Sequence, residues 1–176
     1  MKFTPTPLDG AWIVDIEPIA DERGFFARSW CREEFQRQGL NPDLVQCNIS
    51  FNEKKSTLRG LHYQEQPYGE TKLIRCTAGA IYDVIVDIRQ TSRSYRQWFA
   101  VELSAANRRM LYVPDGFAHG FQALQERTEI FYQMSEGFHP ESARGIRWND
   151  AALAIRWPVS DPILSPRDRS YPDFLP

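Results

Sequence analysis

Short runs rich in β-branched and aromatic residues follow one another through the middle of the chain, most of them closed by Pro, Asn, Asp or Ser. This spacing constrains the fold more than any other feature. The runs "VQCNISF" (45–51), "IYDVIVDI" (81–88), "QWFAVELS" (97–104), "RMLYVP" (109–114), "FQAL" (121–124) and "TEIFYQM" (128–134) each read as a strand. Strands recurring at intervals of roughly 8–12 residues predict an all-β sandwich or barrel. One helix pattern stands out, in "SWCREEFQRQGLNP", with Ser29 as N-cap, Glu33 and Glu34 early, Arg37 late, and Gly39 at C′ before Pro42. A second helical turn is expected over 149–153, and the proline-rich tail 157–176 is expected to lie extended over the body. No repeat, linker or low-complexity tract divides residues 1–176, which read as one domain large enough to bury a core.

A net charge of −2 favours neither a nucleic acid nor a membrane surface as partner. No apolar run is long enough to span a bilayer, and "MKFTPTPLDG" lacks the apolar centre of a signal peptide, so a cytoplasmic location is expected. Cys31, Cys47 and Cys76 are odd in number and widely spaced, which fits reduced thiols rather than a disulfide framework or a zinc site.

The chemistry concentrates around "TLRGLHYQ" (57–64). In a regular strand Arg59 and His62 would point to opposite faces. Gly60 between them marks a bulge, and one added residue brings both side chains to the same face. Three further segments carry polar groups where a barrel interior is expected. Gln46, Asn48 and Ser50 make one strand face wholly polar against Val45, Cys47, Ile49 and Phe51, and a polar face on a buried strand must line a cavity. Tyr132 shares its face with Ile130 and Met134, and Lys72 shares its face with Ile74 and Cys76. Tyr82, Val84, Val86 and Ile88 form a core face. His, Tyr, Lys, Arg, Gln and Asn in one interior make a pocket for an anionic, oxygen-rich ligand with proton-transfer chemistry.

Small β-barrels that hold a metal often use two histidines one residue apart. Here His62 is followed by Tyr63 and Gln64, and His119 and His139 complete no visible ligand set. That speaks against a metal-dependent oxygenase, and no metal is expected. No phosphate-cradling glycine loop is present either, so a bound nucleotide would be held by side chains.

The octapeptide is one of several stretches that resemble the dTDP-4-dehydrorhamnose 3,5-epimerase family. The others are "DERGFF" (21–26), "VQCNIS" (45–50), "KLIRC" (72–76), "YDVIVDIR" (82–89), "ELSAANRRMLYVPDGFAHGF" (102–121), "IRWND" (146–150) and "LSPRDR" (164–169). They run in family order over nearly the whole chain. The resemblance implies a jelly-roll, cupin-like barrel and a homodimer, with no cofactor. An N-terminal strand near "AWIVDIEP" is expected to join a partner's sheet. The implied substrate is a nucleoside-diphosphate 4-keto-6-deoxyhexose, epimerised at C3 and C5. On matching positions, His62 resembles the base, Asp168 the carboxylate that orients it, Tyr132 the general acid and Lys72 the cation near the sugar 4-oxygen. Arg23, Phe26, Gln46, Asn48, Arg59 and His119 resemble substrate-binding positions. Arg28, Phe138 and Ala143 stand where the family usually carries Glu, Tyr and Glu; the first two are counted among the substrate-binding residues. These departures leave the nucleotide base and the 4-keto sugar open. A relative that inverts one carbon or moves the ketone, and a non-catalytic sugar-nucleotide-binding jelly roll, are the alternatives.

Overall fold

The structure, a computed structural model, describes residues 1–174. Thirteen strands are named in chain order. They are β1 (Lys2–Pro5), β2 (Trp12–Asp15), β3 (Ile19–Asp21), β4 (Gly24–Phe26), β5 (Gln46–Asn52), β6 (Leu58–Gln64), β7 (Lys72–Ala78), β8 (Ala80–Asp87), β9 (Trp98–Ser104), β10 (Met110–Val113), β11 (Phe117–Ala123), β12 (Thr128–Met134) and β13 (Ala143–Gly145). Two short helices are α1 (Arg32–Arg37) and α2 (Pro166–Ser170). A six-stranded sheet in the order β1-β2-β10-β7-β12-β5 faces a five-stranded sheet in the order β13-β6-β11-β8-β9, and β3 and β4 form a separate hairpin. The chain is the expected all-β jelly roll.

Three apolar clusters hold the layers. Ile74, Ile81, Ile85, Leu111, Phe121 and Ile130 fill the space between the sheets. Each such buried side chain contributes about 1.5–3 kcal/mol over leaving it exposed. Phe35 of α1 joins Val14, Leu73, Met110 and Tyr112 beneath the outer side of the six-stranded sheet. Val84 and Val86 pack with Leu61, Ala118, Ile146 and Leu153 on the outer side of the five-stranded sheet.

Several local readings change. α1 is capped by Cys31, not Ser29, because Trp30 is drawn extended into the cluster beneath the sheet, and burial outweighs the better cap. Gly39 does adopt the left-handed conformation expected after a helix, with φ +71°. Residues 149–153 make turns instead of a helix. The Asp150 carboxylate accepts from the Ala152 and Leu153 amides and so competes with helical bonds. The tail is not wholly extended, since α2 interrupts it, and residues 175–176 of that tail lie outside the described residues. On β8 both faces are buried. Tyr82, Val84 and Val86 pack under the C-terminal segment, while Ile81, Asp83 and Ile85 face the other way. β2 does not offer an edge, since β1 and β10 flank it within its own sheet. On β5 the apolar side, with Cys47, Ile49 and Phe51, is the exposed one.

Candidate active site

A cavity of about 580 Å³ opens between the sheets, walled by β5, β7 and β12 on one side and by β6 and β11 on the other. That volume suits a ligand of cofactor size. The bulge expected at Gly60 builds one wall. His62 lies opposite His119 and Arg59 opposite Phe121, so β6 carries one more residue than β11 over this interval. Gly60 has φ +133°, and a Cβ there would lie 2.5 Å from the Gly120 Cα, which only glycine avoids. Arg59 and His62 both line the cavity as a result.

Asp168 reaches His62 from α2. Ser165 caps this helix by accepting from the Asp168 amide, with proline in the first turn. The turn directs the Asp168 carboxylate at β6, where His62 Nε2–H donates to Oδ1 at 2.6 Å. Ser165 Oγ–H donates to the other oxygen at 2.8 Å. Burial alone would raise the Asp168 carboxyl, but His62, Ser165 and the Gly60 backbone outweigh it and hold it below the usual carboxylate range. With Nε2 donating, Nδ1 carries the lone pair of the neutral ring.

The facing wall supplies the other groups. Tyr132 on β12 is held well above the ordinary phenol range, first by burial and then by the Asp83 charge, with Arg59 acting in the opposite sense. Its hydroxyl is therefore a proton donor at neutral pH. Lys72, at the start of β7, does not extend to solvent; its ammonium lies 2.9 Å from Glu70 Oε1. Gln46 and Asn48 hydrogen-bond each other at 3.0 Å on the polar side of β5, and the Phe138 amide donates to Gln46 Oε1 at 3.3 Å. Arg59 Nε donates to Asn52 Oδ1 at 2.8 Å. His119 Nε2–H donates to the buried Asp83 at 2.7 Å, and its ring meets that of Tyr132 edge to face.

Nine of the twelve predicted site residues thus share one cavity: the four proposed for acid–base chemistry, together with Gln46, Asn48, Arg59, His119 and Phe138. Arg23, Phe26 and Arg28 do not join them. Arg23 pairs with Asp21 on the β3–β4 hairpin, Phe26 stands exposed at the end of that hairpin, and Arg28 is 2.7 Å from Glu34 near the N-terminal ammonium. Sequence reasoning missed Glu70, Asp83, Arg167 and Tyr171. Asp83 could have been found as a carboxylate inside an apolar run, and α2 by its Ser-Pro-x-Asp start. Among the described residues no three His, Cys, Asp or Glu side chains converge as metal ligands would. No helix among them is long and apolar enough to cross a membrane.

Comparison with known proteins gives one family, and beside its 3,5-epimerases stands a dTDP-4-dehydrorhamnose 3-epimerase of Streptomyces niveus, 34% identical and covering 96% of this chain and 82% of that protein. The family model described as dTDP-4-dehydrorhamnose 3,5-epimerase matches residues 5–175. The dTDP-4-dehydrorhamnose 3,5-epimerase of Shigella flexneri is 41% identical over 176 residues, covering 99% of this chain and 97% of that protein. A crystal structure of the Bacillus anthracis dTDP-4-dehydrorhamnose 3,5-epimerase with TDP and PPi bound superposes with a TM-score of 0.95 at 42% identity, covering 98% of this chain and 99% of that one. The Legionella pneumophila dTDP-6-deoxy-D-glucose-3,5-epimerase in complex with dTDP-4-keto-L-rhamnose gives a TM-score of 0.91 at 38% identity, covering 98% and 92%.

Proposed function

The chain belongs to the dTDP-4-dehydrorhamnose 3,5-epimerase family, and from that premise we propose that it converts dTDP-4-dehydro-6-deoxyglucose to dTDP-4-dehydrorhamnose, with His62 as base and Tyr132 as acid. One observation supports this reading above the rest: His62 on β6 and Tyr132 on β12 line a single cavity from facing sheets. Inversion at a carbon requires proton removal from one face and return to the other.

The 4-keto group acidifies the hydrogens on C3 and C5. His62 takes one proton at Nδ1, and Asp168 stabilises the imidazolium through Nε2–H. The electron pair left on carbon passes to the 4-oxygen, where the Lys72 ammonium stabilises the enolate. Tyr132 then donates a proton to the same carbon from the opposite side. His62 and Tyr132 regain their starting protonation from solvent, and the sequence repeats at the second carbon. Arg59 and Arg167 in the cavity wall suit a diphosphate, because each guanidinium offers a planar fork of donors.

The enzyme acts as a cytoplasmic homodimer in this reading. The apolar outer side of β5, an edge strand, and the exposed Phe25 and Phe26 support a second copy as the cover. Arg23 and Phe26, which stand outside their own chain's cavity, then serve the partner's. Size measurement in solution tests the dimer.

The reaction is tested by incubating the purified protein with dTDP-4-dehydro-6-deoxyglucose in deuterated water and following the sugar by NMR. Deuterium enters at C3 and C5 with inversion at both. Binding of dTDP without exchange would leave a silent binding protein instead.

A further inference from the structure

Glu70 lies two residues before Lys72, and neither the family resemblance nor the mechanism above gives it a role. Its Oε1 is 2.9 Å from Lys72 Nζ, the Lys72 and Glu70 side chains are only 7% and 11% exposed, and both residues line the cavity. We propose that Glu70 is a positioning residue that fixes the Lys72 ammonium where the enolate oxygen forms. The proposal rests on the epimerase reading of the cavity.

A lysine ammonium is a compact charge on a flexible stem, and unanchored it moves toward water. Among the described residues the only other acceptor within reach is the His62 carbonyl, at a long 3.5 Å. Glu70 therefore supplies the one short contact, an ion pair at 2.9 Å. The ammonium has three donors, so it retains capacity for a substrate oxygen. The carboxylate also offsets the cost of burying the cation.

Glu70 has an opposing effect as well, since its negative charge weakens the field at the 4-oxygen. Two substitutions separate the effects. Glu70→Ala removes both the acceptor and the charge, whereas Glu70→Gln keeps an acceptor and removes only the charge. Oxyanion stabilisation depends on charges held in place before reaction, so losing the anchor outweighs gaining field.

The test is steady-state kinetics on the 4-keto substrate for the wild type, Glu70→Ala, Glu70→Gln, Lys72→Ala and the two double variants, with thermal melts as a control on folding. Glu70→Ala lowers kcat about 10–100-fold and changes KM less than about threefold, and Glu70→Gln recovers most of the loss. Neither Glu70 substitution costs anything further once Lys72 is alanine. Wild-type kcat in Glu70→Ala, a rise in kcat in Glu70→Ala, a loss confined to KM, or an equal loss in the Lys72→Ala background would each overturn the role. If the alanine variant does not fold, Glu70→Met, which fills similar space without an acceptor or a charge, gives the same comparison against Lys72→Ala. Absence of turnover in the wild type would remove the epimerase reading itself, whereas wild-type turnover with an unaffected Glu70→Ala removes only the role of Glu70.

Discussion

His62 and His119 lie directly opposite each other on β6 and β11, and each donates Nε2–H to an aspartate, at 2.6 Å and 2.7 Å. The surroundings of the two pairs differ. The His62 side chain is 41% exposed to the cavity and Asp168 6%, whereas His119 and Asp83 are 5% and 0%. Both oxygens of Asp168 are satisfied, one by His62 and one by Ser165. Among the described residues Asp83 Oδ2 is buried without a partner. With His62 as the proposed base, a His–Asp hydrogen bond does not make a base on its own. The second ring nitrogen must also have access to a substrate carbon, and the carboxylate must be held by something besides the ring. The inner pair serves another purpose: Asp83 adds its charge to the burial that keeps Tyr132 protonated.

The same substitution at both histidines breaks this comparison most sharply. Gln at position 62 keeps an N–H for Asp168 but has no basic nitrogen to face the cavity. His62→Gln should cost about 10³–10⁴-fold in C3 and C5 exchange, read by NMR in deuterated water, with dTDP binding retained. Exchange at the wild-type rate would remove His62 as base and leave the two pairs without a functional distinction.

Asp168→Asn comes next. An asparagine amide can donate to His62 Nε2 and so drive the ring proton to Nδ1, the nitrogen that must accept. A loss in kcat of about 10²–10³-fold is expected, smaller than for His62→Gln because the base is still present. The substitution also changes acid stability. The Asp168 carboxyl titrates below its ordinary range in the folded protein, so its contribution is fully present above about pH 4 and fades as pH falls through the lower folded value. Melting curves should show the wild type above Asp168→Asn from neutral pH down to about pH 4, with the gap closing below it. A gap that widened on acidification would contradict the paired, ionised carboxylate.

The contrast between the pairs was only half legible in the sequence. In the outer one His62 was, because Gly60 announces the bulge by its own backbone requirement and the bulge turns Arg59 and His62 together, whereas Asp168 came only with the family resemblance of "LSPRDR". The period of "TEIFYQM" likewise put Tyr132 on the inward face without knowledge of its neighbours, and β12 spans those residues. The inner pair was not legible, because which face of β8 meets the barrel interior depends on what covers the other side. The C-terminal segment buries Tyr82 and Val84, and so Asp83 is turned inward with Ile81 and Ile85. β5 shows the same limit: its alternation was read correctly, yet its apolar side faces outward because nothing among the described residues covers an edge strand there. Glu70 escaped notice because a carboxylate before a strand usually faces solvent, and only the Lys72 ammonium gives it a buried partner.

His119→Gln is the smallest effect and the sharpest control. The glutamine Nε2 reaches roughly where the histidine Nε2 stands, so an N–H is kept for Asp83 and the buried carboxylate is not stranded. Losing such a partner outright costs about 1–3 kcal/mol, which is why alanine at this position would confound folding with function. With the bond kept, the remaining changes are the aromatic edge against Tyr132 and the cavity contact of the ring. An edge-to-face contact is worth about 0.5–1.5 kcal/mol, so kcat should fall less than about tenfold, with any larger change in KM. Deuterium should still enter both C3 and C5. If His119→Gln abolished exchange at one carbon and spared the other, the inner histidine would be a second base, and the distinction drawn from accessibility would fail.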